Sequence, residues 1–124
     1  MVKKKILVVD DEFDILDVTK ILLERNGYRV SLAANGMEAL EKAGKELPDL
    51  ILLDIIMPNI DGLEVCKILK RQAKTKHVPV VFFSVVGDLE SKMAKAGADG
   101  HVQKPFAVDE LLAEVKKHLR QDRG

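Results

Sequence analysis

The chain has 124 residues, 47% of them hydrophobic, with 20 Lys plus Arg against 20 Asp plus Glu and a formal net charge of zero. That length holds one domain with a real core, and the composition excludes a disordered tail. The balanced charge excludes a global positive field drawing the chain onto nucleic acid or an anionic membrane, and a single cysteine, Cys66, excludes an intrachain disulfide or a cysteine-built metal site.

Lys5 to Val9 reads as a buried strand. Phe13 to Asn26 follows as a helix, its apolar stripe Ile15, Val18, Ile21 and Leu22, and Gly27 stops it. Tyr28, Val30 and Leu32 alternate with Arg29, Ser31 and Ala33, a strand with one face less buried. Asn35-Gly36 punctuates, and Met37 to Lys45 is a helix. Asp49 to Leu53 is a continuous apolar strand, and the Pro58 and Asn59 stretch that follows is a loop. Leu63 to Ala73 is a helix, Val78 to Ser84 a strand rich in Val and Phe, and Asp88 to Ala96 a shorter helix ended by Gly97. Gly100 to Gln103 is a brief strand. Val108, Leu111, Leu112, Val115 and Leu119 make the cleanest helical stripe, with Asp109 and Glu110 in its first turn and Lys116, Lys117 and Arg120 towards its end.

Strict alternation of five strands and five helices predicts an α/β fold, a parallel sheet with helices on both faces. Continuous apolar runs belong in the middle of such a sheet. The first, third and fourth strands qualify, which places the second and fifth at the edges and predicts the flavodoxin-like order 2-1-3-4-5. No linker, repeat or low-complexity segment breaks the chain, so it is expected to be one domain over 1–124, core about 4–119, either a stand-alone protein, the favoured reading, or a fragment of a larger regulator. Its apolar runs are too short to span a bilayer, and the basic, apolar start ends at Asp10-Asp11-Glu12, too soon for an export signal. The expected location is the cytoplasm.

The strands end on polar residues: Val9 runs into Asp10 and Asp11, Leu53 into Asp54, Phe83 into Ser84, and the fifth strand reaches Lys104. Ligands of open parallel sheets bind outside the carboxyl ends of the strands, where the strand order reverses. That crevice lies between the first and third strands and gathers Asp10, Asp11 and Asp54, with Ser84 and Lys104 flanking them. Clustered carboxylates repel, and a hard dication such as Mg²⁺ resolves the conflict with carboxylates, a backbone carbonyl and water as ligands. With a cation from Lys104 and a hydroxyl from Ser84, the set suits receipt of a phosphoryl group on an aspartate. Singly, each residue has a plainer reading: Asp10, Asp11 and Glu12 favour a helix N-terminus, Asp54 ends a strand in a turn, and Lys104 is an exposed lysine. Their convergence on one sheet edge favours the site. His77, His101 and His118 read as surface residues, Cys66 as a small core residue and the methionines as filling. No glycine-rich phosphate loop and no G-x-S-x-G elbow is present, which argues against nucleotide cradling and serine hydrolysis.

The motifs Ile6-Leu7-Val8-Val9-Asp10-Asp11-Glu12, Leu52-Leu53-Asp54-Ile55-Ile56-Met57-Pro58 with Asp61-Gly62, Ser84, Gly97-Ala98-Asp99-Gly100 and Lys104-Pro105-Phe106 together resemble a response-regulator receiver domain of two-component signalling, over about residues 4 to 119. A chemotaxis receiver is itself a standard example of the 2-1-3-4-5 order. The resemblance implies that Asp54 is the phosphoacceptor, that Asp11 binds Mg²⁺ directly with Asp10 helping through water, and that the Ile56 carbonyl completes the protein ligands. It implies that Lys104 pairs with the phosphoryl oxygens, that Ser84 and His101 form the switch, and that the Lys104–Pro105 bond is cis. Two positions depart from the commonest pattern: His101 stands where Tyr or Phe is usual, and Val85-Val86 follow Ser84 where many relatives have a small residue.

The implied partners are a sensor histidine kinase or histidine phosphotransfer protein, and a downstream protein on the face of the fourth helix, fifth strand and fifth helix. Dimerisation on phosphorylation is allowed for; direct nucleic-acid or membrane binding is not expected. The implied activity is self-phosphorylation and self-dephosphorylation, not metabolic turnover. Three rival readings stand beside this one. An aspartyl-phosphate phosphohydrolase would carry a second Asp where Ile56 stands. A receiver-like module that has lost phosphorylation need not retain Asp10, Asp11, Asp54, Ser84 and Lys104. A flavin protein would carry a Ser/Thr-rich phosphate loop after the first strand.

Overall fold

The computed structural model describes residues 3–84 and 90–119. The sequence-predicted start of the fourth helix at Asp88, the Val85-Val86 pair and the side chain of Ser84 lie outside what is described. Five strands, β1 (Lys5–Val9), β2 (Arg29–Ala33), β3 (Leu50–Leu53), β4 (Val80–Ser84) and β5 (Gly100–Gln103), alternate with five helices, α1 (Phe13–Arg25), α2 (Gly36–Glu46), α3 (Gly62–Arg71), α4 (Glu90–Ala96) and α5 (Val108–Leu119). All pairings are parallel, in the order β2-β1-β3-β4-β5.

Strand side chains alternate between faces, so each central strand feeds two cores. Leu7, Val9, Ile51, Leu53, Val80 and Phe82 meet Ala39 and Ala43 of α2, Val65, Cys66 and Leu69 of α3 and Met93 of α4. Ile6, Val8, Leu50, Leu52, Val81 and Phe83 meet Leu16 and Leu23 of α1 and Leu111 and Val115 of α5. The edge strands β2 and β5 are more exposed than β1 and β3.

Local chemistry sets the boundaries. Asn35 caps α2 by accepting from the Glu38 N–H at 2.8 Å, while the Glu38 carboxylate accepts from the Ala34 N–H at 2.7 Å. Asp61 caps α3 through the Glu64 N–H at 2.9 Å. Gly27 takes a φ of 92° just after α1, where a side chain would be strained. The predicted strand from Val78 starts instead at Val80, because the Val78 N–H turns back onto the Thr75 carbonyl at 3.0 Å and Pro79 has no N–H to pair.

The inward face of α1 and the place of His118 also differ from the sequence expectation. The buried face of α1 is Leu16, Thr19 and Leu23, whereas Val18 and Ile21 are 53% and 50% exposed. His118 is not a surface residue: it is buried on α5 with Nε2 2.8 Å from Glu114 Oε2, so a paired polar group fills a core position.

Candidate functional site

The register Val9↔Leu53 brings the ends of β1 and β3 side by side, so Asp10 and Asp54 leave the sheet as neighbours. The Asp54 N–H donates to the Val9 carbonyl at 2.9 Å and the Asp10 N–H to the Ala33 carbonyl at 3.1 Å, fixing both backbones. Carboxylate oxygens of Asp10, Asp11 and Asp54 all lie within 4.8 Å of one another. Asp10 is fully buried, Asp54 nearly so, and Asp11 is exposed at the mouth.

Lys104 enters from just beyond β5, after which the Lys104–Pro105 bond is cis as expected. Its Nζ lies 2.5 Å from Asp10 Oδ2, 3.6 Å from Asp54 Oδ1 and 4.7 Å from the centre of the Phe83 ring. The other Asp10 oxygen, Oδ1, accepts from the Glu12 N–H at 2.9 Å. Asp10 is therefore committed to the site and not to capping α1, whose N-cap Glu12 makes no side-chain capping bond.

Burial pushes the Asp54 carboxyl up to about 6, with the charge of Asp10 adding to the rise and Asp11 adding less. Lys104 and the Ile55 N–H pull the other way but do not cancel it. With all groups ionised, three acids face one lysine, an excess of two negative charges. A hard dication matches both the charge and the all-oxygen donor set, so these residues fit Mg²⁺.

Ile56 stands on the loop two residues past Asp54, its side chain 64% exposed. Gly62 closes that loop: its N–H donates to the Ile55 carbonyl at 2.7 Å, and a Cβ there would fall 2.1 Å from the Asp54 carbonyl oxygen. Only glycine lets α3 start this close to the Asp54 backbone. Ser84 ends β4 in register with Gln103. His101 on β5 is in register with Phe82, away from the acids, and is half-buried rather than on the surface. Its buried Nε2 has no hydrogen-bond partner among the described residues.

The acids and Lys104 meet at one sheet edge, as their positions after the strands predict, whereas Phe83, whose ring lies under the lysine, and Gly62 beyond its motif carry no such expectation. The signal for Gly62 was available, since a glycine directly after a capping aspartate marks a close approach at a helix start.

A doubly wound sheet with a buried aspartate, two companion acids and a lysine at its switch point defines a receiver-type signalling domain. The chain belongs to the response regulator receiver domain family, whose profile matches residues 6–116. It is 44% identical over 120 residues to the alkaline phosphatase synthesis transcriptional regulatory protein PhoP of Bacillus subtilis, covering 95% of this chain and 49% of that protein. It is 39% identical over 119 residues to the DNA-binding dual master transcriptional regulator RpaA of Synechocystis, covering 94% of this chain and 49% of that protein. The chain thus spans about half the length of these curated relatives. Among solved structures, the chemotaxis protein CheY4 of Vibrio cholerae is similar with a TM-score of 0.91 at 32% identity, over 95% of this chain and all of that one. A two-component response regulator from Clostridium difficile is similar with a TM-score of 0.90 at 31% identity, over 98% of this chain and all of that one. Among the described residues no helix is long and apolar enough to cross a membrane.

Proposed function

We propose that this chain is a phosphorylation switch in which Asp54 takes a phosphoryl group from a phosphohistidine on a sensor kinase or phosphotransfer protein. The observation that carries the reading is the convergence of Asp10, Asp11 and Asp54 within 4.8 Å under the Lys104 ammonium. A carboxylate oxygen of Asp54 attacks phosphorus, the phosphorus–nitrogen bond breaks, and the imidazole leaves with the bonding electrons. Water later breaks the new phosphorus–oxygen bond and restores the carboxylate. Without a bound metal Asp54 is mostly ionised, and so nucleophilic, above a pH of about 6, and a dication would favour the carboxylate further.

Lys104 holds the ground state together through Asp10 and turns its charge towards the incoming phosphoryl oxygens. The chemistry that Mg²⁺ supplies when held by Asp10, Asp11, Asp54 and the Ile56 carbonyl is neutralisation of charge on the transferring group. Ser84 and His101 form the switch. The downstream protein docks on the face of α4, β5 and α5, and phosphorylation allows dimerisation. The location is the cytoplasm, where such donors supply the group. Ile56 gives no general acid or base two residues after the nucleophile, so the domain acts as a timer and not as a metabolic phosphohydrolase.

The test is intact mass after incubation with acetyl phosphate and Mg²⁺. Wild type gains one phosphoryl group and Asp54→Asn gains none. Equal labelling of that variant overturns the assignment. Turnover of small phosphate esters would favour the phosphohydrolase.

A further inference from the structure

Charge is balanced over the chain but not along it. Lys67, Lys70, Arg71, Lys74 and Lys76 stand between Val65 and Gly87, and no Asp or Glu does. Lys67, Lys70 and Arg71 have i, i+3, i+4 spacing and share one face of α3. Lys95, in the last turn of α4, joins them. With Ala96 and Gly97 these four cations line an open cavity of about 300 Å³, and no acid is among its lining residues. Gly97 has a φ of 92°, and a Cβ there would stand 3.1 Å from Lys70 Cγ, so the lysine stem lies against the turn that ends α4.

Two of the four charges are answered. Lys70 Nζ donates to Asp99 Oδ2 and the Val78 carbonyl, both at 2.8 Å, and Arg71 pairs with Glu64 at 3.6 Å. Lys67 and Lys95 have no acidic partner among the described residues. The dipoles of α3 and α4 account for bases in their last turns, Lys70, Arg71 and Lys95. They do not account for Lys67, which lies earlier, between Glu64 at i−3 and Arg71 at i+4. An anion in the cavity would answer the two charges, Lys67 and Lys95, that the ion pairs leave over.

We propose that this cavity binds a compact anion of the pyrophosphate class, two linked phosphoryl groups spanning Lys67 on α3 and Lys95 on α4. Its volume is at the small end of the range for small-molecule sites. No aromatic side chain lines it, so nothing stacks on a nucleobase. Four cations line one notch of this volume, which suits a small anion. Lysine ammonium groups on rotatable stems bind phosphate as point charges. The notch adjoins Val78 and Asp99, whose carboxylate also accepts from the Val80 N–H at 2.9 Å. It therefore lies by the start of β4, at the sheet edge opposite Asp54, and does not depend on the phosphoacceptor reading.

The experiment is a nitrogen-15 NMR titration of the metal-free chain with sodium pyrophosphate at low ionic strength. Saturable one-to-one shifts are expected at the amides of Lys67, Lys70, Arg71 and Lys95 to Gly97. Lys67→Glu with Lys95→Glu is expected to weaken binding roughly tenfold or more. Lys116→Glu with Lys117→Glu makes the same charge change on exposed α5 positions and should alter it by less than about twofold. All four positions are exposed, and the amide spectrum itself reports whether each variant is folded. Shifts that never saturate, shifts spread over all basic surfaces, or equal losses in the two double variants would overturn the site. A duplex oligonucleotide that binds more tightly and displaces pyrophosphate would also overturn it, in favour of a nucleic-acid surface.

Discussion

Lys104 and Asp10, 94 positions apart in the chain, meet as a buried ion pair with Nζ 2.5 Å from Oδ2. The pair ties the exit of β1 to the exit of the edge strand β5, across β3 and β4. Removing one partner of a buried pair strands the other charge. Lys104→Met should therefore cost about 3 kcal/mol in metal-free buffer, read by urea unfolding. The variant leaves three acids without a cation, so Mg²⁺ should recover more stability in it than in wild type. A loss no larger than that of an exposed lysine would show that the pair is not a structural tie.

Asp54 titrates high in the folded chain, at about 6 against an ordinary 3.8, first because it is buried and next because Asp10 is beside it. The folded state thus holds this proton more tightly than the unfolded state does. The stability that follows is fully present below about pH 4 and is lost as pH rises towards 6. Asp54→Asn removes both the titration and the repulsion. Without metal it should be more stable than wild type by about 2 kcal/mol above pH 6, the gap closing below pH 4. Thermal unfolding across that range reads the difference, and a gap independent of pH would contradict the burial argument.

The strand order was legible because three apolar runs had to be central, and the site because each strand's first polar residue falls on the same edge of a parallel sheet. What hydropathy hid were polar groups in the interior, one of them, Thr19, with a buried hydroxyl that has no hydrogen-bond partner among the described residues. Thr19 occupies the inward face of α1, so the apolar residues Val18 and Ile21 misled the phase of that helix. His118 reads as polar and so as exterior, yet Glu114 one turn earlier satisfies it in the interior. The Lys104–Asp10 contact has no local signature at all, because it depends on strand order and on the length of β5. Asp11 and Asp54 differ in exposure although both follow apolar strands, which only the packed loops decide.

Gly62 and Gly44 separate packing from backbone freedom. A Cβ on Gly62 would meet backbone, 2.1 Å from the Asp54 oxygen and 2.8 Å from Ile55 Cα, and backbone cannot step aside as a flexible side chain can. Gly62→Ala should cost at least about 2 kcal/mol and slow acetyl-phosphate labelling, since the Asp54 main chain must move. Gly44 lies within α2 and a Cβ there meets nothing within 4 Å. Gly44→Ala should instead stabilise by about 0.5–1 kcal/mol and leave labelling unchanged. Equal effects from the two alanines would refute the close approach at Asp54.

His101 lies between two openings in the surface. One, of about 200 Å³, is bounded by Met93 and Ala94 of α4, and the other, of about 410 Å³, by Glu110, Ala113 and Glu114 of α5. Its ring carries a buried nitrogen with no partner among the described residues. A buried polar atom without a hydrogen bond is costly, whereas an apolar ring of similar shape at the same place is not. His101→Phe should raise stability by about 1 kcal/mol, helped by the preference of aromatic residues for strands. The role of the imidazole in switching is read separately, by amide shifts on adding beryllofluoride, a mimic of the phosphoryl group. If the switch depends on a ring of this size moving against α4, the Phe variant keeps the shifts along α4, β5 and α5. Their loss with the fold intact would assign the switching role to a hydrogen bond that only the imidazole can make.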